Sequence, residues 1–245
     1  MKVIGIIPAR YNSTRFPGKP LVDIKGKTMI RRVYEGAIKA KHLDDLVVTT
    51  DDQRIYDHVI NFGGKAIMTD ESIPSGTDRV WQAYHQLKKS YDVVLNIQGD
   101  EPLINVEHID LLIGIFEKRK NAQIGTLAKP MQLKKDIEDP NKVKVVFSSD
   151  QKALYFSRSP IPFERDKKAN PGYFQHIGIY GFKSSVLDRI SKLESSPLEL
   201  TEQLEQLRWL ENDMNIHLEI TNIETPSVDC PKDLENLIKN YGSSL

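Results

Sequence analysis

"VIGII", residues 3–7, is the first of several short apolar runs that alternate with segments of helical period. The next segment, "TMIRRVYEGAIKA" (28–40), has apolar residues at helical spacing, and "DLVVTTDD" (45–52) is again apolar before it turns polar. These patterns predict a strand, a helix and a second strand. Strands that alternate with helices form mainly parallel sheets with helices on both faces. The sequence therefore predicts a three-layer α/β fold.

The same alternation continues over most of the chain. We expect further strands at 65–69, 93–102 and 216–221, and further helices at 53–61, 77–88, 106–119, 184–193, 200–211 and 231–240. After residue 122 the runs 143–148, 153–158 and 176–182 follow one another without helical segments, which predicts antiparallel strands. Since no linker rich in Gly, Ser or Pro is present, we expect one domain over 1–245 with a protruding β element at about 123–182.

Composition restricts the classes of partner. Lys plus Arg and Asp plus Glu both number 34, so no chain-wide field attracts nucleic acid or an anionic membrane. The single cysteine, Cys230, excludes an internal disulfide framework and fits a reducing compartment. The apolar run at the start is too short for a signal peptide, and no run approaches the roughly 18 residues of a membrane span. We expect a soluble, cytoplasmic protein with neither nucleic acid nor membrane as partner.

The segment after the first strand, "IIPARYNSTRFPGKPL" (6–21), is basic: Arg10, Arg15 and Lys19 are spaced along a loop punctuated by prolines and Gly18. Ligands of open parallel sheets bind outside the carboxyl ends of the strands, where this loop begins. Its cations can bind phosphate oxygens, so the loop is a candidate polyphosphate site, although it matches neither the Walker A nor the dinucleotide motif. The alternative is an exposed basic loop that binds nothing.

Two acidic residues are candidate metal ligands. Asp100 follows an apolar strand in "NIQGDEP" (96–102), and Asp229 precedes the helix that is predicted near Pro231. Two carboxylates that face a polyphosphate provide the hard oxygen ligands that Mg²⁺ prefers. The alternatives are a turn residue for Asp100 and a helix N-cap for Asp229.

Together these motifs resemble the 3-deoxy-D-manno-octulosonate (Kdo) cytidylyltransferase, or CMP-Kdo synthetase, family nearly from end to end. The resemblance is carried by "IPARYNSTRFPGKPL" (7–21) and "NIQGDEP" (96–102). It is also carried by "TDD" (50–52), "FGGKAIMT" (62–69), "SGTDR" (75–79), "VKVV" (143–146), "YFSRSPIPF" (155–163), "HIGIYGF" (176–182), "LEQLR" (204–208) and "VDCPKDLE" (228–235). It implies a fold of the nucleotide-diphospho-sugar transferase type. It also implies transfer of CMP from CTP to Kdo for lipopolysaccharide or capsule biosynthesis, a Mg²⁺ cofactor, and a homodimer joined through the β element.

The resemblance also implies roles for individual residues. Asp100 and Asp229 correspond to the magnesium ligands, and with Arg10 and Lys19 they form the implied catalytic set. Gln98 is placed between nucleotide and sugar. The remaining nucleotide-binding residues are Arg10, Ser13, Arg15, Lys19, Ser75, Gly76 and Arg79, and the remaining sugar-binding residues are Arg158, His176, Tyr180, Glu205 and Gln206.

Several of these residues have simpler interpretations. Arg158 would also fit a surface arginine at a strand end, and His176 a hydrogen-bonded structural histidine. Glu205 and Gln206 would fit the solvated face of a helix. The alternative functions are CMP transfer to a related sugar acid such as 8-amino-Kdo, use of a different nucleotide, and a non-catalytic nucleotide-binding relative.

Overall fold

The computed structural model describes residues 1–73, 75–166 and 172–245, and their contacts divide the chain into two compact units. The first unit comprises residues 1–110 and 224–245, and the second comprises residues 111–223. The strands are Val3–Ala9 (β1), Asp23–Ile24 (β2), Lys27–Thr28 (β3), Asp45–Thr50 (β4), Ala66–Met68 (β5), Val93–Asn96 (β6), Ile124–Met131 (β7), Lys144–Phe147 (β8), Ala153–Ser157 (β9), Tyr173–Lys183 (β10) and Ile216–Ile220 (β11). The α-helices are Met29–Ala37 (α1), Gln53–Asn61 (α2), Gly76–Gln86 (α3), Val106–Lys118 (α4), Lys134–Glu138 (α5), Ser184–Ile190 (α6), Pro197–Glu202 (α7), Glu205–Glu211 (α8) and Pro231–Tyr241 (α9).

The first unit contains a parallel sheet in the order β6, β1, β4, β5. Ile6 of β1 lies opposite Val47 on one side and Asn96 on the other. Strand β1 is apolar on both faces because helices pack against the sheet, and the side chains of Ile4, Ile6 and Ile7 are fully buried. The α/β class with a mainly parallel sheet is thus confirmed, and the loops that leave β1 and β6 begin at the same edge of the sheet.

An apolar cluster attaches the C-terminal segment to the first unit. Val228 and Leu237 are buried together with Ile24 and Met29, and Phe16 of the basic loop packs against them. Helix α9 begins after Cys230 in a capping box: the Cys230 sulfur accepts from the Asp233 backbone N–H, and the Asp233 carboxylate accepts from the Cys230 N–H at 2.9 Å. This packing determines where the residues around position 229 lie.

The second unit contains a mixed sheet. Strand β7 pairs with β10 in antiparallel and with β11 in parallel orientation, and β8 joins β10 to β9 through antiparallel pairs. The antiparallel pairing predicted for the runs between 143 and 182 is confirmed, with residues 167–171 lying outside the described part of the chain. The expectation of one domain, with dimerisation through the β element at about 123–182, stays a prediction.

The structure corrects three sequence predictions. Strand β7 and helix α5 were not predicted, because Gly125 and Pro130 interrupt the β7 pattern. The strand predicted at 93–102 ends at Asn96. The single helix predicted at 200–211 is wrong: α7 starts with a capping box at Ser196 and ends at Gln203, whose φ of 53° is left-handed, before α8 begins.

Candidate active site

Cations of the basic loop and two carboxylates line one cavity of about 440 Å³ in the first unit. The loop supplies side chains from the carboxyl end of β1 onward, and the chain after β6 supplies the opposite wall. Seven of the predicted site residues line this cavity: Arg10, Ser13, Arg15, Lys19, Gln98, Asp100 and Asp229. The structure therefore brings together residues that are up to 219 positions apart in the sequence.

The basic loop is closed by its own backbone. The N–H groups of Ser13 and Gly18 both donate to the Tyr11 carbonyl oxygen, at 3.1 and 2.9 Å. Gly18 has φ of 71°, a left-handed conformation that glycine adopts without steric cost. A 3₁₀ turn, Lys19–Leu21, follows at once, and Pro20 within it is buried. This geometry turns the Lys19 side chain into the cavity.

Asp100 is positioned by close backbone packing. A Cβ on the preceding residue, Gly99, would lie 2.9 Å from the Pro8 carbonyl oxygen, so only glycine fits there. The Asp100 carbonyl oxygen accepts a hydrogen bond of 2.9 Å from the Val228 N–H. Because Val228 is buried in the apolar cluster, this bond holds the chain that carries Asp229 beside the chain that carries Asp100.

Lys19 lies between the two carboxylates. Its Nζ is 2.8 Å from Asp100 Oδ2 and 3.6 Å from Asp229 Oδ1, and Arg15 approaches the same Asp229 oxygen at 3.2 Å. One cation therefore reaches both acidic side chains. The N-cap interpretation of Asp229 is wrong, because Cys230 is the N-cap of α9 and the Asp229 N–H itself donates to Asp233. The Asp229 carboxylate is consequently directed to cations rather than to a helix end.

Glu101 is a buried carboxyl group next to this pair. Burial, together with the negative charge of Asp100, raises the pKa of Glu101 to about 7, while a hydrogen bond with Thr225 acts in the opposite direction. Sequence reasoning assigned no role to Glu101. The only signal in the sequence was the pair of adjacent acidic residues that follows a buried strand.

Three other predicted nucleotide-binding residues lie at the start of α3. Ser75 is its N-cap and accepts a hydrogen bond from the Asp78 N–H at 3.0 Å, and Gly76 is its first residue. Arg79 is fully buried, where it binds Asp51 at 2.8 Å and Thr69 at 2.7 Å, and burial lowers its pKa. Ser75, Gly76 and Arg79 are not among the residues that line the cavity. Their nucleotide-binding roles stay predictions.

The predicted sugar residue Arg158 lies at the end of β9 in the second unit. Its guanidinium donates to three backbone carbonyl oxygens, those of Glu202 at 2.7 Å, Pro140 at 2.9 Å and Gln203 at 3.2 Å. The carboxylate of Glu202 accepts from the Arg158 N–H at 2.9 Å, and buried Lys144 donates to the Arg158 carbonyl oxygen. Arg158 is thus a fixed guanidinium rather than a loose surface side chain, and at most two of its five N–H groups remain for a ligand.

His176 and Tyr180 lie on β10 within an aromatic cluster. The His176 ring is 5.3 Å from that of Tyr180, which is 4.9 Å from Trp209. Thr126 Oγ1 is 3.0 Å from His176 Nε2, and burial lowers the pKa of His176 to about 3, so the ring is neutral at physiological pH. The Tyr180 hydroxyl is buried without a hydrogen-bond partner in the described chain, and burial and the Glu205 charge raise its pKa.

Glu205 and Gln206 open helix α8. Glu205 is half-buried and accepts from Arg208 at 3.0 Å, whereas Gln206 is buried. The solvated-face interpretation is therefore wrong for Gln206. The reason is the break between α7 and α8, which rotates the residues after Gln203 relative to the single helix that the sequence suggested.

Comparison with known proteins identifies the family. Residues 4–216 match the family described as Cytidylyltransferase. The chain belongs to this family. It is 48% identical to a 3-deoxy-manno-octulosonate cytidylyltransferase of Parabacteroides distasonis, with 97% of each chain covered, and 49% identical to the protein of that name from Fusobacterium nucleatum, with 98% of this chain and 97% of the relative covered. A solved structure of a CMP:2-keto-3-deoxy-manno-octonic acid synthetase complexed with CTP is 40% identical over the whole of both chains, with a TM-score of 0.95.

Two further findings bear on what this cytidylyltransferase binds. Among residues 1–73, 75–166 and 172–245, no group of three or more Asp, Glu, His or Cys side chains is placed to hold a metal ion. Within the same ranges, the helices are too short or too polar to cross a membrane.

Proposed function

We propose that this cytidylyltransferase transfers CMP from CTP to Kdo and releases pyrophosphate. The observation that carries the proposal is the cavity of the first unit, where Lys19 and Arg15 meet Asp100 and Asp229. Such a set of charges suits a nucleoside triphosphate with its metal. The names of the relatives support Kdo as acceptor, and the CTP bound in the related solved structure supports the nucleotide.

In this reaction the anomeric hydroxyl of Kdo attacks the α-phosphorus of CTP. The new bond joins the sugar oxygen to phosphorus, the bond from the α-phosphorus to the bridging oxygen of pyrophosphate breaks, and the hydroxyl proton is released. Arg10, Arg15 and Lys19 neutralise phosphate oxygens, on which charge increases as pyrophosphate departs. Ser13 contributes a hydroxyl at the same wall of the cavity. The protein therefore acts mainly by alignment and by charge stabilisation.

The residues present fit a magnesium ion. Asp100 and Asp229 offer hard carboxylate oxygens that a single ammonium group already reaches together, and Mg²⁺ is commonly held by one or two carboxylates plus phosphates and water. We propose that these two residues hold Mg²⁺ with CTP. The bound ion would offset negative charge on the transferred phosphoryl group and on the leaving pyrophosphate.

The acceptor site is proposed in the second unit. Arg158, with its orientation fixed by backbone carbonyls, would offer its remaining N–H groups to the sugar carboxylate. The hydroxyls would contact His176, Tyr180, Glu205 and Gln206. The buried Tyr180 hydroxyl supports this role, because a buried polar group without a partner is costly unless a ligand or water completes it. Gln98 would contact both substrates, and Ser75, Gly76 and Arg79 are proposed for the nucleotide.

We also propose that the protein works as a cytoplasmic homodimer and that its product serves lipopolysaccharide or capsule biosynthesis. Exposed apolar side chains of the second unit support a partner surface there. Phe163 is 86% exposed, Leu154 60% and Leu200 59%. Light scattering after size-exclusion chromatography tests the dimer, and Leu154→Lys together with Phe163→Lys should give a monomer.

Pyrophosphate release tests the function directly. Wild-type protein should release pyrophosphate from CTP with Kdo in the presence of Mg²⁺, and much less with ATP, GTP or UTP, or after removal of the metal. A panel of 2-keto sugar acids that includes 8-amino-Kdo identifies the acceptor. If CTP binds but no acceptor of the panel gives product, the non-catalytic alternative is favoured and the proposal is overturned.

A further inference from the structure

A stacked pair of side chains lies against the basic loop in the first unit. The Arg54 guanidinium carbon is 3.4 Å from the centroid of the Tyr11 ring, which is direct stacking contact. Arg54 belongs to helix α2, whereas Tyr11 belongs to the loop after β1. The pair therefore joins the basic loop to helix α2 of the first unit. Neither residue was singled out by sequence reasoning.

The orientation of the Arg54 guanidinium is fixed by the carboxylate of Asp52. Its Nε and one terminal nitrogen donate to the two oxygens of Asp52, at 2.9 and 2.6 Å, and Asp52 is also the N-cap of α2. Such a two-point bond fixes the plane of the guanidinium as well as its place. The hydrogen bonds to Asp52, and then its negative charge, raise the pKa of Arg54, which favours the cationic form of the stacked group.

Tyr11 in turn contacts the part of the loop that leads to Lys19. A Cβ on Gly18 would lie 3.2 Å from the Tyr11 ring carbon Cζ and from its hydroxyl oxygen, so ring and glycine are in close contact. The Tyr11 carbonyl oxygen accepts from the Gly18 N–H at 2.9 Å. Tyr11 thus contacts Gly18 through both backbone and side chain, and Lys19 is the next residue. Arg10, on the other side of Tyr11, lines the same cavity.

We infer that Tyr11 and Arg54 are positioning residues, which hold the basic loop in the geometry that presents Arg10 and Lys19 to a triphosphate. The inference rests on the proposed function for its effect on CTP, whereas the order of the loop itself does not depend on that function. The ring of Tyr11 rather than its hydroxyl carries the effect, because the contact with Arg54 is made by the ring face.

The chain offers a matched control for this pair. Arg31 also has its guanidinium over an aromatic ring, that of Phe62, at 5.7 Å, and it is also held by a carboxylate, Glu35, at 2.7 Å. Neither Arg31 nor Phe62 lines the cavity. Arg31→Met therefore removes an arginine that lies over an aromatic ring and binds a carboxylate, without touching the loop.

The test uses Arg54→Met, Tyr11→Leu, Tyr11→Phe and Arg31→Met in the full-length protein. Hydrogen exchange of the free protein should rise in peptides covering residues 10–21 for Arg54→Met and Tyr11→Leu, and should stay at the wild-type level for Tyr11→Phe and Arg31→Met. The KM for CTP should increase about two- to fivefold for Arg54→Met and at least as much for Tyr11→Leu. The KM for Kdo at saturating CTP should not change.

Two outcomes would overturn the inference about Tyr11 and Arg54, and a third would overturn the proposed function. Wild-type exchange in residues 10–21 and wild-type KM for CTP in both Arg54→Met and Tyr11→Leu would overturn the inference. Faster exchange with an unchanged KM for CTP would also overturn it, because the stack would then order a loop that the triphosphate does not need. An inactive wild-type protein would overturn the proposed function instead, while the exchange measurement would still report whether the pair orders the loop.

Discussion

Replacing Lys19 by methionine should have opposite effects on metal binding and on catalysis. In the structure the Lys19 ammonium lies 2.8 Å from Asp100 and 3.6 Å from Asp229, in the place where a metal shared by these carboxylates would compete with it. A metal that binds without nucleotide must displace this internal cation. A triphosphate offers Lys19 new oxygen acceptors and so releases the carboxylates. Lys19→Met should therefore bind Mn²⁺ alone more tightly and transfer CMP more slowly.

The magnitude follows from the contacts. A hydrogen bond between charged groups contributes about 1.5–3 kcal/mol net. The side chains of Lys19, Asp100 and Asp229 are 15, 24 and 44% exposed, so solvent screens the Asp229 contact and we count only the bond to Asp100 at the lower value. Loss of about 1.5 kcal/mol of competition corresponds to roughly tenfold tighter metal binding. Loss of a charge that stabilises the departing phosphates should lower kcat by about 10²–10³.

Calorimetric titration of nucleotide-free protein with Mn²⁺, combined with pyrophosphate release under saturating substrates, measures both effects. Lys27→Met is the matched control. Lys27 Nζ lies 2.6 Å from Glu35 Oε2 in an exposed ion pair, and neither residue lines the cavity. Adding Asp100→Asn to Lys19→Met should cancel the gain in affinity. If Lys19→Met binds Mn²⁺ no more tightly than wild type, the lysine does not compete with the metal. If its kcat is unchanged, Lys19 is not part of the catalytic set.

Three further predictions concern other parts of the molecule. Gly99→Ala places a Cβ 2.9 Å from the Pro8 carbonyl oxygen and should lower kcat/KM for CTP by about ten- to a hundredfold through displacement of Asp100, whereas Gly114→Ala, with open space around it, should leave kinetics unchanged. Arg79→Met leaves the Asp51 carboxylate buried without its cation and should lower the free energy of unfolding in urea by about 3–5 kcal/mol, with partial recovery on adding Asp51→Asn; an unchanged urea midpoint would contradict it. The pKa of His176 is about 3 against a usual value of 6.5, so the unfolded state binds the extra proton between these values. Stability should then fall as pH drops through that range by up to about 1.4 kcal/mol per unit, and His176→Phe, measured by urea titrations from pH 7 to 4, should remove this slope.

The parallel part of the fold was predictable because its strands are buried on both faces and its helices are amphipathic. Runs such as Val3–Ala9 and Asp45–Thr50 therefore carry a strong local signal. Strand Ile124–Met131 carries a weak one, since Gly125 and Pro130 are poor strand formers and its stability comes from two neighbouring strands. The break at Gln203 depends on a left-handed backbone that nothing in the apolar pattern of 200–211 reveals.

The candidate site was predictable to different extents in its different parts. The cations of the basic loop are close in sequence, so composition alone indicated an anion site at the end of β1. Convergence of Asp229 with Asp100 depends on long-range packing of Val228 and Phe16, which no local pattern encodes. The sequence offered the two residues only as candidate metal ligands with a turn and an N-cap as alternatives, and the family resemblance implied the same metal role. The burial of Arg79 and Gln206 could not be predicted, because polar residues in the interior depend on partners from distant segments.

The separation of the two carboxylates is set by backbone rather than by the lysine between them. Asp100 is fixed by the close packing of Gly99 against the Pro8 carbonyl and by the hydrogen bond from the Val228 N–H to the Asp100 carbonyl oxygen. Asp229 directly follows Val228, whose side chain is buried in the apolar cluster. Removal of Lys19 therefore changes the charge of the site while its geometry persists. For this reason the loss of Lys19 should make metal binding stronger instead of abolishing it. A purely structural role of Lys19 would give the opposite sign, because the carboxylates would then move apart.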